Sequence, residues 1–146
     1  MLSIRQKQMA NLLGVGLSFP LQQSETGGIL LVRGEDLVKQ SIREILLTDA
    51  GEGVRAFDIR RGVLYGTRLR RYHFETMQVY RELADYEVKR VLDVWEPRIL
   101  VTEVQVTAPA HMTDIQGRRT VLIDVRYVLR ATNRSDNAVV AVPTRV

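Results

Sequence analysis

The sequence predicts an α+β fold in a single domain, with two main helices and a small antiparallel sheet. Apolar residues recur at helical spacing over residues 35–47 and again over 76–94, and alternating stretches follow over 99–107 and 120–130. The 146 residues give room for one hydrophobic core, and no repeat or low-complexity linker divides them. Residues 1–18 are expected to form an N-terminal arm and residues 19–146 the domain itself.

Each element has its own signal. The first helix, 35–47, opens with Glu35 and Asp36, carboxylates that suit the positive end of the helix dipole, and places Val38, Ile42, Ile45 and Leu46 on one face. Lys39, Gln40, Arg43 and Glu44 read as its solvated side. Ahead of it, Gly14, Gly16 and Pro20 suggest irregular chain, Gly27 and Gly28 a turn, and residues 29–32 a short strand. Behind it, Gly51 and Gly53 open a loop that runs through an arginine-rich stretch. The second helix carries Met77, Tyr80, Ala84, Val88, Val91 and Trp95 three or four apart, with Leu83 and Leu92 widening the stripe. On another of its faces Arg81, Asp85, Lys89 and Asp93 alternate in sign, a pattern that supports a helix by about 0.2–0.5 kcal/mol per pair.

Trp95, Glu96, Pro97 and Arg98 turn the chain from helix to sheet. Proline cannot continue the helix and biases Glu96 toward extended backbone, so Glu96 and Arg98, two apart, are expected to project together outward. Such a pair suits charge-assisted bonding to a partner; the plainer alternative is an internal ion pair that fixes the corner. In the strand that follows, Leu100, Val104 and Val106 are predicted on one face, with Val101, Glu103 and Gln105 on the other. Residues 120–130 place Val121, Ile123, Val125, Tyr127 and Leu129 on one face, and the two strands are expected to pair antiparallel. Residues 109–118 and 131–137 read as turns, and 138–142 as a short last strand. At a sheet edge, that strand (Val139, Val140, Ala141, Val142) would offer a backbone template to another chain.

Composition narrows the function. No uncharged apolar run is long enough to cross a membrane, and residues 1–13, with Arg5, Lys7, Gln6, Gln8 and Asn11, lack a secretory core. The absence of cysteine excludes disulfides and thiolate metal sites and fits a reducing compartment. The net charge is +4 and 18 of the 21 basic residues are arginine, a bias toward bidentate protein contacts over a diffuse polycation. Arg55, Arg60, Arg61, Arg68, Arg70 and Arg71 mark a candidate partner-contact loop, interleaved with Phe57, Tyr65, Tyr72 and Phe74.

Catalytic inventory is poor. His73 and His111 are the only histidines, Ser18 lacks a glycine two residues later, and there is neither a phosphate loop nor a dinucleotide fingerprint. No catalytic residue, metal or cofactor is assigned. Glu52, Glu75, Glu96 and Glu103 are the carboxylates from which a hydrolytic pair could be drawn, since such pairs assemble only in three dimensions.

Several of these features together resemble the baseplate wedge and sheath-initiator proteins of contractile injection machines, including phage tails, type VI secretion systems and extracellular injection particles. The features that carry the likeness are Phe19-Pro20, the helix from Leu37 ending at Thr48, Gly51-Glu52, Leu69, Phe74-Glu75, Trp95-Glu96-Pro97-Arg98-Ile99 with Val101 and Val104, the Thr132-Asn133 turn and the last strand. The resemblance implies helices packed on an antiparallel sheet and a structural, non-enzymatic role, despite the lysozyme-like label the family often carries. Glu96, Pro97 and Arg98 would dock wedge proteins, and, by element only, the final strand around Val139 to Val142 would be a candidate sheath-docking edge. Implied partners are wedge proteins, sheath subunits and tube or spike-hub proteins, with several copies around a ring, assembled in the cytoplasm and without membrane. The family's loop after the first helix commonly runs Gly-Glu-Arg, proline, Phe-Gly; Gly51-Glu52-Gly53 and Arg60-Arg61-Gly62 depart from it. Two alternatives of other classes stand beside this one: a regulatory anti-adaptor-like module of the same fold, and nucleic-acid binding through the arginine-rich loop.

Overall fold

The structure is a computed structural model that describes residues 4, 12–52, 59–72, 75–109 and 120–143. It is α+β, as expected, with two main helices and small antiparallel sheets. The chain divides into two compact units, residues 1–41 and 42–146.

In the first unit, β1 (Val15–Leu17) pairs antiparallel with β2 (Leu31–Arg33). Residues 14–20, expected to be irregular, thus include a strand; its partner lies beyond a long turn, and no local periodicity announces so short a pairing. The turn is closed by the Ser24 amide donating to Gly28 O at 2.7 Å and by Gly27 at φ +85°. Gln40, expected on a solvated face, instead ties down the end of β1. Its amide donates to Leu17 O at 2.9 Å, and its Oε1 accepts from the Phe19 amide at 3.1 Å. Val15, Leu17, Phe19, Leu21, Ile29 and Leu31 are all exposed around this hairpin.

Helix α1 (Glu35–Leu47) matches its predicted limits, with Val38, Ile42, Ile45 and Leu46 buried. In the second unit its end is closed by Thr48, whose hydroxyl donates to Glu44 O at 2.7 Å. A parallel bridge between Asp49 and Thr67 then seals the C-terminus: Thr67 donates through its amide to Thr48 O and through Oγ1 to Leu46 O. The stretch predicted as one loop contains a hairpin, β3 (Ile59–Arg60) and β4 (Val63–Leu64). Arg61 and Gly62 both have positive φ, the two-residue turn whose twist matches paired strands. A 3-10 turn, Leu69–Tyr72, leads toward α2.

Helix α2 (Met77–Trp95) begins at Thr76, whose Oγ1 accepts from the Val79 amide. Tyr80, Ala84, Val88, Val91, Leu92 and Trp95 are buried, and Met77, in the first turn, is exposed. Burial pushes the Tyr80 phenol up to about 12. A raised folded value stabilises fully below the unfolded value near 10 and is lost as pH climbs from there through 12. Denaturant titration is therefore expected to lose about 2–3 kcal/mol of stability over that window, and Tyr80→Phe to flatten the loss.

Strands β5 (Ile99–Thr107), β6 (Thr120–Leu129) and β7 (Arg134–Pro143) form one antiparallel sheet in that order. α2 packs against β5. Val121, Ile123, Val125, Tyr127 and Leu129 are all buried, and Ala138, Val140 and Val142 continue the apolar face across β7. Each such side chain contributes about 1.5–3 kcal/mol relative to exposure. Leu100 departs from its predicted face: it is 51% exposed, while Ile99 is buried and Val101 half-buried. The register shifts between Val101 and Glu103, so a bulge reverses the alternation and returns Val104 and Val106 to the core side. The last strand is also longer than predicted, because the turn takes only residues 130–133 and Asn133 supplies its positive φ.

Candidate functional site

The corner between α2 and β5 gathers more chemistry than any single element could supply. The Glu96 amide caps the helix by donating to Leu92 O at 2.9 Å, and the Ile99 amide donates back to Glu96 O at 3.3 Å. That second bond makes residues 96–99 a tight turn with Pro97 at its favoured second position, not an extended pair. The expected outward projection of both charges is therefore corrected. Glu96 turns inward and is 1% exposed, Arg98 folds over it at 30% exposure, and Pro97 stands in solvent. Arg98 Nε and Nη2 reach Glu96 Oε1 and Oε2, both at 2.5 Å, a fork on a carboxylate. The hydrogen bond to Glu96 raises the Arg98 pKa above its already high value, against the opposing pull of desolvation. The corner is thus locked by its own ion pair, with the proline facing out.

Trp95 anchors the same corner from the helix side. Its indole nitrogen donates to Leu64 O at 3.2 Å, Tyr65 meets it edge-on at 5.1 Å and 86°, and the Arg60 guanidinium lies 4.8 Å from its ring centroid. Asp93, expected to continue the alternating ladder of α2, instead reaches Arg61 at 3.6 Å and Arg130 at 3.8 Å. Of that ladder, Lys89 and Asp85 pair at 2.8 Å. Arg130 is steadied by donating from Nε to Ile99 O at 3.0 Å and from its amide to Arg98 O at 2.9 Å.

The arginine-rich loop is thereby split. Arg60 and Arg61 join the corner through the β3–β4 hairpin. Arg70 is structural: it pairs with Asp49 at 3.4 Å and donates to Leu47 O at 3.3 Å beside the end of α1. Arg68, just before the 3-10 turn, and Arg71, on it, are exposed, and Arg55, Phe57, His73, Phe74 and His111 lie outside the described residues. Glu87 was not read from the sequence. It lies on the buried stripe between Ala84 and Val91, where a charge signals a paired site, and it accepts from the Arg68 amide at 3.0 Å and pairs with Arg90 at 2.8 Å.

Of the carboxylates proposed for hydrolysis, Glu52 and Glu75 are exposed and Glu96 is enclosed by Arg98. Glu103 is held ionised on the open face of the sheet: the hydrogen bond from Gln105 and the Arg126 charge lower its pKa. Among the described residues no group of acids and histidines is arranged to hold a metal, and no helix is long and apolar enough to cross a membrane.

β7 lies at one edge of its sheet, paired to β6 over its whole length. Val140 and Val142 point into the core, and Val139 and Ala141 point out.

Residues 32–134 match the family described as baseplate wedge protein gp25. The chain belongs to the baseplate wedge protein family. The resemblance expected from Trp95 to Ile99 is borne out, and a wedge-family chain is a structural component of the baseplate of a contractile, phage tail-like machine. A candidate tail lysozyme from Geobacter sulfurreducens is 31% identical, with a TM-score of 0.60 over 80% of this chain and 96% of that one. A chain of the anti-feeding prophage baseplate, six-fold symmetrised, superposes with a TM-score of 0.61 over 95% of this wedge protein and 92% of its own length; at 18% identity this likeness concerns the fold. No curated protein sequence matches. The wedge-family match includes the corner and β6 and stops where β7 begins.

Proposed function

We propose that this wedge protein joins its neighbours through the Glu96-Pro97-Arg98 corner and nucleates the sheath by accepting a strand along β7. Copies assemble in the cytoplasm around a ring, between other wedge proteins and the first sheath subunits. The observation that carries the sheath half is the position of β7: ten residues long, at the edge of its sheet, and anchored beneath by Ala138, Val140 and Val142. A backbone edge held rigid on a core is suited to strand addition, because main-chain bonds supply affinity without induced folding. The role needs no chemistry. Glu96 is committed to Arg98, and Glu103 lies exposed between Arg126 and Gln105.

Val139→Lys with Ala141→Lys adds two charges beside the open edge and leaves the inward residues in place. Expected are baseplates that retain this chain but carry no sheath. Sheathed particles at the normal yield would rule out docking on β7.

A further inference from the structure

The corner carries a surplus of arginine that the wedge-docking motif does not account for. Three guanidinium groups, Arg61, Arg98 and Arg130, converge there on two carboxylates, Asp93 and Glu96, and a fourth, Arg60, lies against Trp95. Glu96 is consumed by Arg98, so Asp93 alone faces Arg61 and Arg130, and Arg60 rests on the Trp95 ring. Among these six side chains two positive charges stay uncompensated. The contacts at Asp93 are 3.6 and 3.8 Å, beyond hydrogen-bond reach, so the donors of Arg61 and Arg130 are oriented by its charge and not used by it. Both side chains are open to solvent, at 72% and 52%.

We infer that Arg61 and Arg130, with Arg60, form a carboxylate-binding rim beside Pro97, and that the segment docking at this corner is an acidic stretch of a protein partner. The inference rests on the wedge-docking reading and names its chemistry. Planar guanidinium forks match paired carboxylates, and the hairpin turn at Arg61-Gly62 and the backbone bonds of Arg130 hold two forks on either side of one acid. A protein fits better than a nucleic acid. The charges converge on one point, where a polyanion needs a track of them. Exposed Pro97 beside the guanidinium groups adds an apolar contact of the kind protein partners use.

The test compares copies of this chain per purified particle in cells carrying wild type, Arg61→Glu/Arg130→Glu, Arg61→Glu alone, or Arg68→Glu/Arg71→Glu. The last pair makes the same charge change at two exposed positions, one just before the 3-10 turn and one on it. Expected is a loss of about tenfold or more for the first pair, a smaller loss for Arg61→Glu, whose turn position leaves the core untouched, and incorporation within roughly twofold of wild type for the last pair. Wild-type incorporation of Arg61→Glu/Arg130→Glu would overturn the inference and spare the wedge reading, as would equal loss in both pairs. Failure of the wild-type chain itself to enter particles would remove the wedge reading and the inference together. Binding of a duplex DNA 20-mer by the purified protein at low salt, abolished by the first pair, would assign the rim to nucleic acid instead.

Discussion

Arg98→Ala is expected to lower the unfolding free energy by about 3–5 kcal/mol, because it strands the Glu96 carboxylate in a site that is 1% exposed. The effect belongs to the pair and not to the arginine. With Glu96→Gln already in place, no charge remains to be stranded, and the same Arg98→Ala change should cost only about 1 kcal/mol of hydrogen bonding. Denaturant titration of the four proteins in that cycle measures the coupling. A loss below about 1 kcal/mol in the single variant would show that Glu96 is reached by water or neutralised. The result also bears on docking assays. A protein lacking Arg98 would miss the baseplate for want of a fold, so Arg98→Lys, which keeps a cation on Glu96 and loses the fork, is the better probe of contact.

Gly66→Ala is expected to cost about 3–4 kcal/mol, combining positive-φ strain with displacement of neighbouring backbone. Gly66 has φ +92°, and a Cβ there would lie 2.5 Å from Thr48 O, 3.0 Å from Thr48 C and 3.1 Å from Asp49 C. None of these atoms is the end of a flexible side chain. Relief requires opening the Asp49–Thr67 bridge, which holds the end of α1 and presents Asp49 to Arg70. Thermal unfolding of the variant should therefore be accompanied by faster amide exchange at Ala50 and Thr67. An unchanged melting temperature would mean that the bridge can shift at no cost.

Where the sequence was legible, one element's own pattern sufficed. Glu35 and Asp36 at the start of an apolar stripe placed α1, α2 came out one residue off, and the alternation from Val121 to Leu129 identified the core face of β6. What escaped depended on partners distant in the chain. Leu100 reversed its face because of a bulge that no residue type announces. Glu96 turned inward because proline suits the second position of a tight turn as well as an extended corner, and the Ile99 amide decided between them. Asp93 fitted a helical ladder by spacing, yet its nearest cations come from the β3–β4 hairpin and the end of β6. The Arg61-Gly62 turn was readable in principle, since a residue-glycine pair between two short β-branched segments is a hairpin signal.

The arginines show the same division. Six lay in one stretch of sequence, and those described separate into a pair that serves the corner, one that closes α1 and two exposed ones at the 3-10 turn and just before it. Sequence proximity grouped them; packing assigned them different work.

Hydrogen–deuterium exchange across residues 134–143, in the isolated chain and in sheathed particles, tests the central claim most directly. Strand addition predicts that roughly half of the β7 amides, those not bonded to β6, exchange quickly in the isolated chain and become protected once the sheath is present. Identical exchange at those amides with and without sheath would contradict it.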